Sequence, residues 1–381
     1  MRKFLLILAL AVCSCGTATI DVDKIVSLSG EQCRIMETFL SEDSFPRSFE
    51  NGKFVSSEAW WWCSGFYPGV CWYTYLLGKD PEIRDLVLRQ TAKLQDVSKL
   101  CRDHDLGFQV MCSSGFAYKE TGDSLYLKTI REAAAKLAAR YSPVTGVIKS
   151  WNGNDGLYRV IIDNMMNLEL LTYASRMFDV PEWKDIALSH ARNTLKNHFR
   201  PNASSYHVVI YDEENGGVLK RITAQGYADE SAWARGQAWG LYGFTMMYRE
   251  TGEQEFLDQA NRIAAFLLPL LEKQPVPAWD FNAPAPLNEQ VDASAGAIMA
   301  SAFLELCQYA PNARLGAKYK KTGIRILEAL SGDEYLCKPG ECAGFLLKHS
   351  TGNLPKNSEV DVPLTYADYY FMEALYKYSQ L

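Results

Sequence analysis

Apolar and polar positions along this chain follow a pattern that predicts about twelve α-helices arranged in pairs. In each pair, one helix is aromatic, small and apolar nearly all round, and the next is amphipathic and charged. A helix that is apolar on every side is buried, whereas an amphipathic helix forms an outer wall. The predicted spans are 22–41, 65–77, 82–99, 107–120, 124–140, 164–178, 182–198, 231–250, 254–271, 293–309, 315–331 and 364–379.

These pairs of inner and outer helices fit either a closed (α/α)6 barrel or an open superhelix of helical repeats. Long loops recur between the pairs, and a closed barrel gathers its functional site in such loops, which favours closure. We therefore expect an all-α fold, a toroid of six inner and six outer helices, that forms a single domain over residues 16–381.

One long loop contains a predicted β-hairpin. The runs 205–211 and 218–223 are rich in β-branched and aromatic residues, and Asn215-Gly216 lies between them. An Asn-Gly pair between two such runs is typical of a hairpin turn. We expect this hairpin to be a small insertion in the helical barrel.

The stretch 158–171 places a carboxylate at the start of an inner helix. Three β-branched apolar residues lead into Asp163, and Met166 and Leu170 recur behind it at helical spacing. Burying a carboxylate that has few polar neighbours costs free energy unless it is hydrogen-bonded or protonated. Desolvation favours the protonated form, because it raises the pKa of the carboxyl. A carboxylic acid that stays protonated near neutral pH suits a general acid. Asp also commonly caps helix N-termini, so the stretch alone leaves both interpretations open.

The first fifteen residues have the pattern of a secretory leader. Arg2 and Lys3 precede the apolar run 4–12, which is too short to span a membrane. The Cys-Ser-Cys that follows resembles a bacterial lipobox, and Cys15 fits the lipidated position better than Cys13. We therefore expect residues 1–15 to be a lipoprotein-type signal peptide of a periplasmic or cell-surface lipoprotein of a Gram-negative bacterium, anchored through Cys15. An ordinary signal peptide with incidental cysteines is the alternative.

Composition narrows the range of partners. Hydrophobic residues make up 48% and charged residues 22%, as in a globular protein, and the net charge of −6 argues against nucleic acid. The 9 Trp and 21 Tyr suit stacking on sugar rings. Scattered histidines without a Cys-x-x-Cys or His-x-x-x-His pair argue against a zinc site. Cys337 and Cys342 flank a turn and are candidates for a bridge in an oxidising compartment.

Polar and aromatic side chains cluster at the starts of the predicted inner helices. Arg235 and Trp239 lie four residues apart and so share one helix face, where the Arg fork matches a carboxylate and the indole offers a sugar-stacking wall. Each residue alone has a structural explanation, but two carboxylates, two imidazoles and this face at corresponding points of successive repeats indicate a site. The cluster contains Trp62, His104, Asp105, Trp151, Asp163, His207, Gln225, Arg235 and Trp239.

Five motifs at these positions resemble those of the unsaturated glucuronyl hydrolases, glycoside hydrolase family 88. They lie at 62–66, 104–108, 163–168, 205–207 and 234–239, and the resemblance extends from about residue 60 to the C-terminus. It implies an (α/α)6 barrel without a metal or other cofactor. It also implies a hydrolase that removes the 4,5-unsaturated uronic acid from the non-reducing end of lyase-generated glycosaminoglycan oligosaccharides, by hydration of the C4=C5 vinyl ether.

The resemblance also implies residue roles. Asp163 is similar to the general acid/base, and Asp105 to the second essential carboxylate, which holds sugar hydroxyls. The uronate subsite is expected to comprise Trp62, His104, Trp151, His207, Gln225, Arg235 and Trp239. The family commonly has His before the Gln of this run, whereas this chain has Ala224, which leaves substrate preference and pH optimum open.

The loop before the last predicted helix is a candidate subsite for the leaving sugar. It spans 348–358, is rich in hydroxyls and amides, and in a closed barrel it overhangs the same mouth as Trp62. A sulfate requires several donors and a positive charge, so we expect Ser350 and Lys356 to bind the leaving sugar and to govern sulfate tolerance. A solvated surface connection is the alternative.

Two other functions fit the sequence. The same chemistry on pectin fragments would make the chain an unsaturated rhamnogalacturonyl hydrolase. A non-catalytic glycan-binding lipoprotein would need the aromatic residues but not Asp163 in its apolar setting.

Overall fold

A computed structural model describes residues 20–381 of the chain. The predicted signal peptide, with Cys15, lies outside these described residues.

The helices form two concentric rings. In chain order they are α1 Val22–Glu37, α2 Phe66–Gly78, α3 Pro81–Ala92, α4 Val97–Leu100, α5 Leu106–Val110, α6 Phe116–Thr121, α7 Ser124–Ala138, α8 Leu168–Phe178, α9 Pro181–Asn197, α10 Ala234–Thr251, α11 Gln254–Leu271, α12 Ala293–Leu306, α13 Ala313–Leu330 and α14 Thr365–Ser379. The inner ring consists of α2, α5 with α6, α8, α10, α12 and α14. The last inner helix, α14, packs against both α12 and α2, so the ring is closed.

The inner helices are buried on nearly every side, as their apolar sequences predict. All of α12 and the first fourteen residues of α10 are buried, whereas α13 buries only the stripe that faces its partner. The alternation of wholly apolar and amphipathic helices therefore produced the two rings, and the predicted (α/α)6 barrel is confirmed.

Two predicted helices are interrupted. The span 82–99 divides into α3 and α4, because the carbonyl of Gln95 accepts a hydrogen bond from Thr129 on α7 instead of continuing the helix. The span 107–120 consists of α5 and α6 joined by the π-helical turn Met111–Gly115. The Ser113 hydroxyl donates to the Gln109 carbonyl there, and a hydroxyl that bonds the preceding turn competes with regular helix geometry.

The structure contains more β-structure than the sequence pattern predicts. The strands are β1 Ser44–Glu50, β2 Lys53–Glu58, β3 Tyr141–Ser142, β4 Val147–Ile148, β5 Tyr158–Ile161, β6 Val208–Tyr211, β7 Val218–Ile222, β8 Ser350–Asn353 and β9 Ser358–Val362, all paired antiparallel. The predicted hairpin is β6–β7, with Gly216 at φ 76° in its turn. The hairpins β1–β2 and β8–β9 were missed.

The run before Asp163 is a strand rather than a direct approach to a helix. Tyr158 and Val160 alternate inward and pack against Val209 and Tyr211, so β5 joins β6 and β7 in a three-stranded sheet. A 3-10 turn, Ile162–Asn167, then carries Asp163, and α8 begins only at Leu168. This strand-to-turn junction fixes the position of the Asp163 carboxyl.

Several features bear on partners and chemistry. Cys337 and Cys342 carry free thiols. Among residues 20–381, no three His, Cys, Asp or Glu side chains come together as a metal site would require. Within the same residues, no helix has both the length and the apolar character that crossing a membrane demands.

Candidate active site

A cavity of about 310 Å³ opens at the end of the barrel where the inner helices begin. Residues at or just before the N-terminal ends of α2, α5, α8, α10 and α14 contribute, and the hairpins β1–β2 and β8–β9 add the outer rim. Helix N-termini carry partial positive charge, so this end of the barrel favours anions. The cavity is lined by Arg47, Trp61, Trp62, Asp103, His104, Asp105, Phe108, Trp151, Ile161, Asp163, Gln225, Arg235, Gly352, Asn353, Ser358, Glu359 and Tyr366.

Asp163 is the best-placed proton donor in this cavity. Burial raises the pKa of its carboxyl to about 6, although nearby Arg235 and the indole of Trp239 favour the ionised form. Its Oδ2 atom has no hydrogen-bond partner in the protein and lies 3.8 Å from Nε2 of His207. Since Asp163 leaves one oxygen unpartnered beside a cavity, it does not act as an ordinary helix cap.

His207 lies next to Asp163 and is a neutral imidazole. Its Nδ1 accepts hydrogen bonds from the backbone N–H groups of Ala224 at 3.1 Å and Gln225 at 3.2 Å. A neutral imidazole that accepts at Nδ1 carries its proton on Nε2, which faces Asp163. Burial lowers the pKa of His207 to about 3, so it stays neutral. The contact from Ala224 is made by its backbone, and a side-chain change at this position leaves it intact.

Asp105 and His104 line the cavity on the side opposite Asp163. Burial, followed by the charges of Asp103 and Asp163, raises the pKa of Asp105 well above its usual value. His104 Nε2 lies 3.5 Å from Asp105 Oδ1, and burial lowers the pKa of His104 to about 4. Asn167, from the turn that carries Asp163, donates to the same Oδ1 at 3.4 Å. Two carboxyls with raised pKa values therefore share one cavity.

A close approach of two backbones brings these carboxyls together. A Cβ on Gly107 would lie 2.5 Å from the Cα of Asn167, a distance that real side chains do not reach. Glycine is therefore required at position 107, because α5 crosses the 3-10 turn at backbone contact. This crossing places Asp105, just before α5, opposite Asp163.

Arg235 does not offer a free fork to the substrate, contrary to the sequence-based expectation. It is buried, and its Nη1 donates to Asp292 at 2.8 Å and to the Thr351 carbonyl at 2.6 Å. Its Nη2 donates to Gln225 at 2.9 Å and to the Gly352 carbonyl at 2.7 Å. All four terminal N–H groups are thus engaged by the protein. Arg235 fixes the cavity wall and supplies positive charge near Asp163.

Trp239 also lies elsewhere than the sequence pattern predicts. Trp62 and Trp151 line the cavity, but Trp239 is fully buried beneath it and packs against Phe108 and Tyr370. Position 239 lies one helical turn deeper than Arg235, so the shared face points into the barrel rather than to the mouth. Its buried indole N–H makes no hydrogen bond within residues 20–381, but it lies near enough to Asp163 to favour the ionised form of that carboxyl.

The loop 348–358 reaches the cavity, but through other residues than those predicted. Gly352, Asn353 and Ser358 line it together with Trp62. Ser350 is fully buried, because β8 turns its side chain inward, and Lys356 is exposed on the 3-10 turn at the hairpin tip. Neither side chain is among those that line the cavity.

Sequence reasoning missed Arg47 and Glu359. Arg47 lies on β1, and a signal for its hairpin was present: Asn51-Gly52, with both residues at positive φ, joins β1 to β2. Asn-Gly between alternating apolar residues is a strong hairpin signal. Glu359 lies on β9, one residue beyond the predicted loop.

A second cavity, of about 470 Å³, lies at the other end of the barrel. Its buried carboxylates are held by cations: Arg249 pairs with Glu169, Glu250 and Glu305, and Lys377 pairs with Glu305 and Glu373. These pairs close the bottom of the barrel, and the reactive carboxyls lie at the mouth.

Comparisons with known proteins agree with this geometry. Residues 40–274 match the model of Glycosyl Hydrolase Family 88. The unsaturated glucuronyl hydrolase of Formosa agariphila is 39% identical over 365 residues, which cover 93% of this chain and 90% of that protein. The crystal structure of an unsaturated glucuronyl hydrolase specific for heparin is 43% identical with a TM-score of 0.89, and the match covers 94% of this chain and 97% of that one.

A more distant structure shows a ligand in this fold. It is a mutant unsaturated glucuronyl hydrolase from Streptococcus agalactiae complexed with dGlcA-GalNAc6S, which is 26% identical with a TM-score of 0.82 over 95% of this chain and 92% of that one. The family model covers more than half of the chain, and the Formosa relative nearly all of it. The chain therefore belongs to glycoside hydrolase family 88.

Proposed function

We propose that this glycoside hydrolase removes the 4,5-unsaturated uronic acid from the non-reducing end of glycosaminoglycan oligosaccharides produced by lyases. The observation that carries the proposal is Asp163, a buried carboxyl with a free oxygen at the wall of an aromatic-lined cavity. Two related structures support the substrate class: one enzyme is described as specific for heparin, and a mutant of another is complexed with dGlcA-GalNAc6S.

The first step is protonation of the substrate alkene. The C4=C5 bond is a vinyl ether conjugated to a carboxylate, and its carbon C4 accepts a proton from the Asp163 carboxyl. Positive charge then develops at C5 and the ring oxygen. Near pH 6 about half of the Asp163 side chains hold this proton, which is the condition for an efficient general acid.

The second step is addition of water at C5. Asp163, now a carboxylate, takes one proton from the water while the hydroxyl bonds to C5, so the catalyst returns to its protonated form. The resulting hemiketal opens to a ketone at C5, the ring oxygen stays on C1, and C1 expels the leaving sugar as an alcohol. Nε2 of His207 lies 3.8 Å from Asp163 Oδ2 and the positive charge of Arg235 is nearby, so both groups favour the transient carboxylate electrostatically.

Asp105 and the aromatic residues position the sugar. Asp105 with its raised pKa is a hydrogen-bonding partner for ring hydroxyls rather than a second base. Trp62 and Trp151 offer flat apolar surface on which a sugar ring stacks. This arrangement differs from ordinary glycosidases, in which two carboxylates flank the anomeric carbon.

The test is an assay with an unsaturated glucuronyl disaccharide in D₂O. The proposal requires that the ultraviolet absorbance of the alkene disappears at the rate at which the leaving sugar is released, with one deuterium incorporated at C4. Release of the sugar with the alkene initially intact would refute it. A parallel assay on an unsaturated rhamnogalacturonyl disaccharide distinguishes the pectin-directed alternative, and turnover of either substrate excludes the non-catalytic one.

We also propose a location. The leader pattern supports lipid attachment at Cys15 and a periplasmic or cell-surface enzyme. Mass spectrometry of the protein purified from its source should find a lipidated N-terminal Cys15. A mature N-terminus elsewhere would contradict this.

A further inference from the structure

The outer rim of the cavity is built by two hairpins that lie side by side. β1 contributes Arg47, and the β8–β9 hairpin contributes Asn353, Ser358 and Glu359. Asn353 and Ser358 are directly opposed in the β8–β9 register, so their polar side chains form one patch. This rim lies above the floor formed by Asp105 and Asp163.

Arg47 is the lining cation that retains unused donors. Its Nε donates to Glu359 Oε1 at 2.5 Å, and its guanidinium lies over the Trp61 ring at 4.9 Å. Within residues 20–381, neither of its Nη atoms donates to a protein acceptor. Arg235, in contrast, uses all four of its terminal N–H groups. With its side chain 29% exposed, Arg47 is both held in place and open to a ligand.

Glu359 fixes the direction in which Arg47 points. Its backbone φ of 57° is in the left-handed region, where a non-glycine residue is strained, and such strain concentrates at ligand clamps. Its carboxylate lies against Gly352 so closely that a Cβ there would be 2.3 Å from Oε2. Glu359 is therefore clamped between β8 and Arg47, and it engages the Nε edge of the guanidinium only.

The patch beside Arg47 has the remaining groups that an oxyanion needs. Asn353 Oδ1 is buried without a partner, so no donor within residues 20–381 fixes the orientation of this amide, and its Nδ2 group is the donor that it can present to an oxyanion. An amide, a hydroxyl and two free guanidinium nitrogens together supply several donors and one positive charge. Charge-assisted hydrogen bonds of this kind are the strong ones in anion recognition.

We propose that Arg47, with Asn353 and Ser358, forms a subsite for an oxyanion of the substrate. This rests on the proposed function. The oxyanion is either a sulfate on the leaving sugar or the carboxylate of the unsaturated uronate. In the sulfate case, sulfate tolerance is governed by β1 and the base of the β8–β9 hairpin, rather than by Ser350 and Lys356.

The test compares Arg47→Met with Arg102→Met on a sulfated and an unsulfated unsaturated disaccharide. Arg102 is a matched control, because it stacks over the neighbouring Trp60 at 5.0 Å but does not line the cavity. A charge-assisted hydrogen bond is worth about 1.5–3 kcal/mol, so Arg47→Met should lower kcat/KM about tenfold or more, mainly through KM. Arg102→Met should leave both substrates unaffected.

Which of the two disaccharides loses kcat/KM in Arg47→Met identifies the bound anion. A loss confined to the sulfated disaccharide supports a sulfate subsite, and an equal loss on both substrates supports a carboxylate subsite. Unchanged kcat/KM on both, or a loss matched by Arg102→Met, overturns the proposal. Arg47→Lys keeps the charge without the fork and should recover part of the loss, which a purely structural role would not predict.

Glu359→Gln should change KM in the opposite direction to Arg47→Met. Gln keeps an oxygen that accepts from Arg47 Nε, so it holds the direction of the guanidinium while the negative charge is removed. Binding of the anionic group should therefore tighten, so KM falls several-fold where Arg47→Met raises it. An increase of KM in both variants would overturn the proposal. Wild-type turnover of the unsulfated disaccharide tests the proposed function separately. If turnover fails, calorimetric binding of the same disaccharides to wild type and Arg47→Met still tests the subsite.

Discussion

At the scale of single residues, the environment assigns different tasks to similar side chains. Arg47 and Arg235 both line the cavity, yet one has free donors and the other is saturated by the wall that it holds together. The carboxyl of Asp163 keeps a free oxygen, whereas Asp105 is approached by Asn167 and His104. Residue type alone does not separate these cases, because the partners come from elements distant in sequence.

Replacement of the proposed acid provides a direct test. Asp163→Asn keeps the shape of the side chain but removes the acidic proton, and general acid catalysis is typically worth 10²–10⁴-fold. We expect kcat to fall by about this factor while the Kd of the disaccharide changes little, as measured by steady-state kinetics and calorimetry. Asp123→Asn is the control, because Asp123 caps α7 far from the cavity and Asn caps helices equally well. A near-wild-type kcat in Asp163→Asn would show that Asp163 is not the general acid.

The pH profile should follow the state of the Asp163 carboxyl. Burial raises its pKa to about 6, so kcat/KM should decline above that pH as the acid ionises. Trp239→Phe removes an indole donor that favours the ionised form, so the pKa rises further and the alkaline limb should move to higher pH. Trp279→Phe, at a buried indole that bonds the Leu287 carbonyl instead, controls for lost packing. If the alkaline limb of the kcat/KM profile of Trp239→Phe lies at the same pH as in the wild type, the indole does not act on Asp163.

At the scale of elements, the site depends on two backbones in contact. Gly107→Ala would force α5 away from the turn that carries Asp163, because its Cβ has no room beside Asn167. We expect lower thermal stability and at least a tenfold loss of kcat/KM, since small misplacements of catalytic groups are costly. Gly30→Ala in α1 meets nothing closer than 3.5 Å and should be neutral or stabilising by up to about 1 kcal/mol. Equal behaviour of the two variants would contradict the role of the crossing.

The elements also show how far a sequence can be interpreted alone. The helical periodicity and the Asn215-Gly216 signal are local, and they predicted the rings and the β6–β7 hairpin. Three of the four hydrogen-bond partners of Arg235 are 57 or more residues away in the sequence, and no local pattern indicates them. The strand β5 was missed because a short β-branched run before a helix fits either interpretation. Three predicted site residues do not line the cavity, because the direction in which a side chain faces depends on tertiary contacts: Trp239, Ser350 and Lys356.

At the scale of the whole molecule, four of the five histidines are buried and neutral. Burial lowers the pKa of His104 to about 4, of His198 and His207 to about 3, and of His190 well below its usual value. Their contribution to stability is complete above the unfolded pKa of about 6.5 and is lost as pH falls toward the folded values. The raised pKa values of Asp105 and Asp163 act in the opposite direction and offset part of this loss.

The protein should therefore be acid-labile. At pH 5 each such histidine costs about 2 kcal/mol relative to pH 7.5, because the unfolded chain binds a proton that the folded chain does not. The urea midpoint should fall clearly between these pH values, and His198→Gln, which cannot titrate, should give a shallower slope. A midpoint that is flat from pH 7.5 to pH 5 would show that the buried imidazoles do not control acid stability.

Closure of the ring by α14 also sets an order of events during synthesis. The wall around Arg235 requires the carbonyls of Thr351 and Gly352, and the ring requires a helix that begins at Thr365. A ribosome has therefore translated most of the chain before any of it can form the cavity. Until then, helices such as α10 and α12, which are buried on nearly every side in the folded protein, have no closed barrel to cover them. We therefore expect the nascent chain to expose apolar surface, and so to be prone to aggregation, until α14 is made.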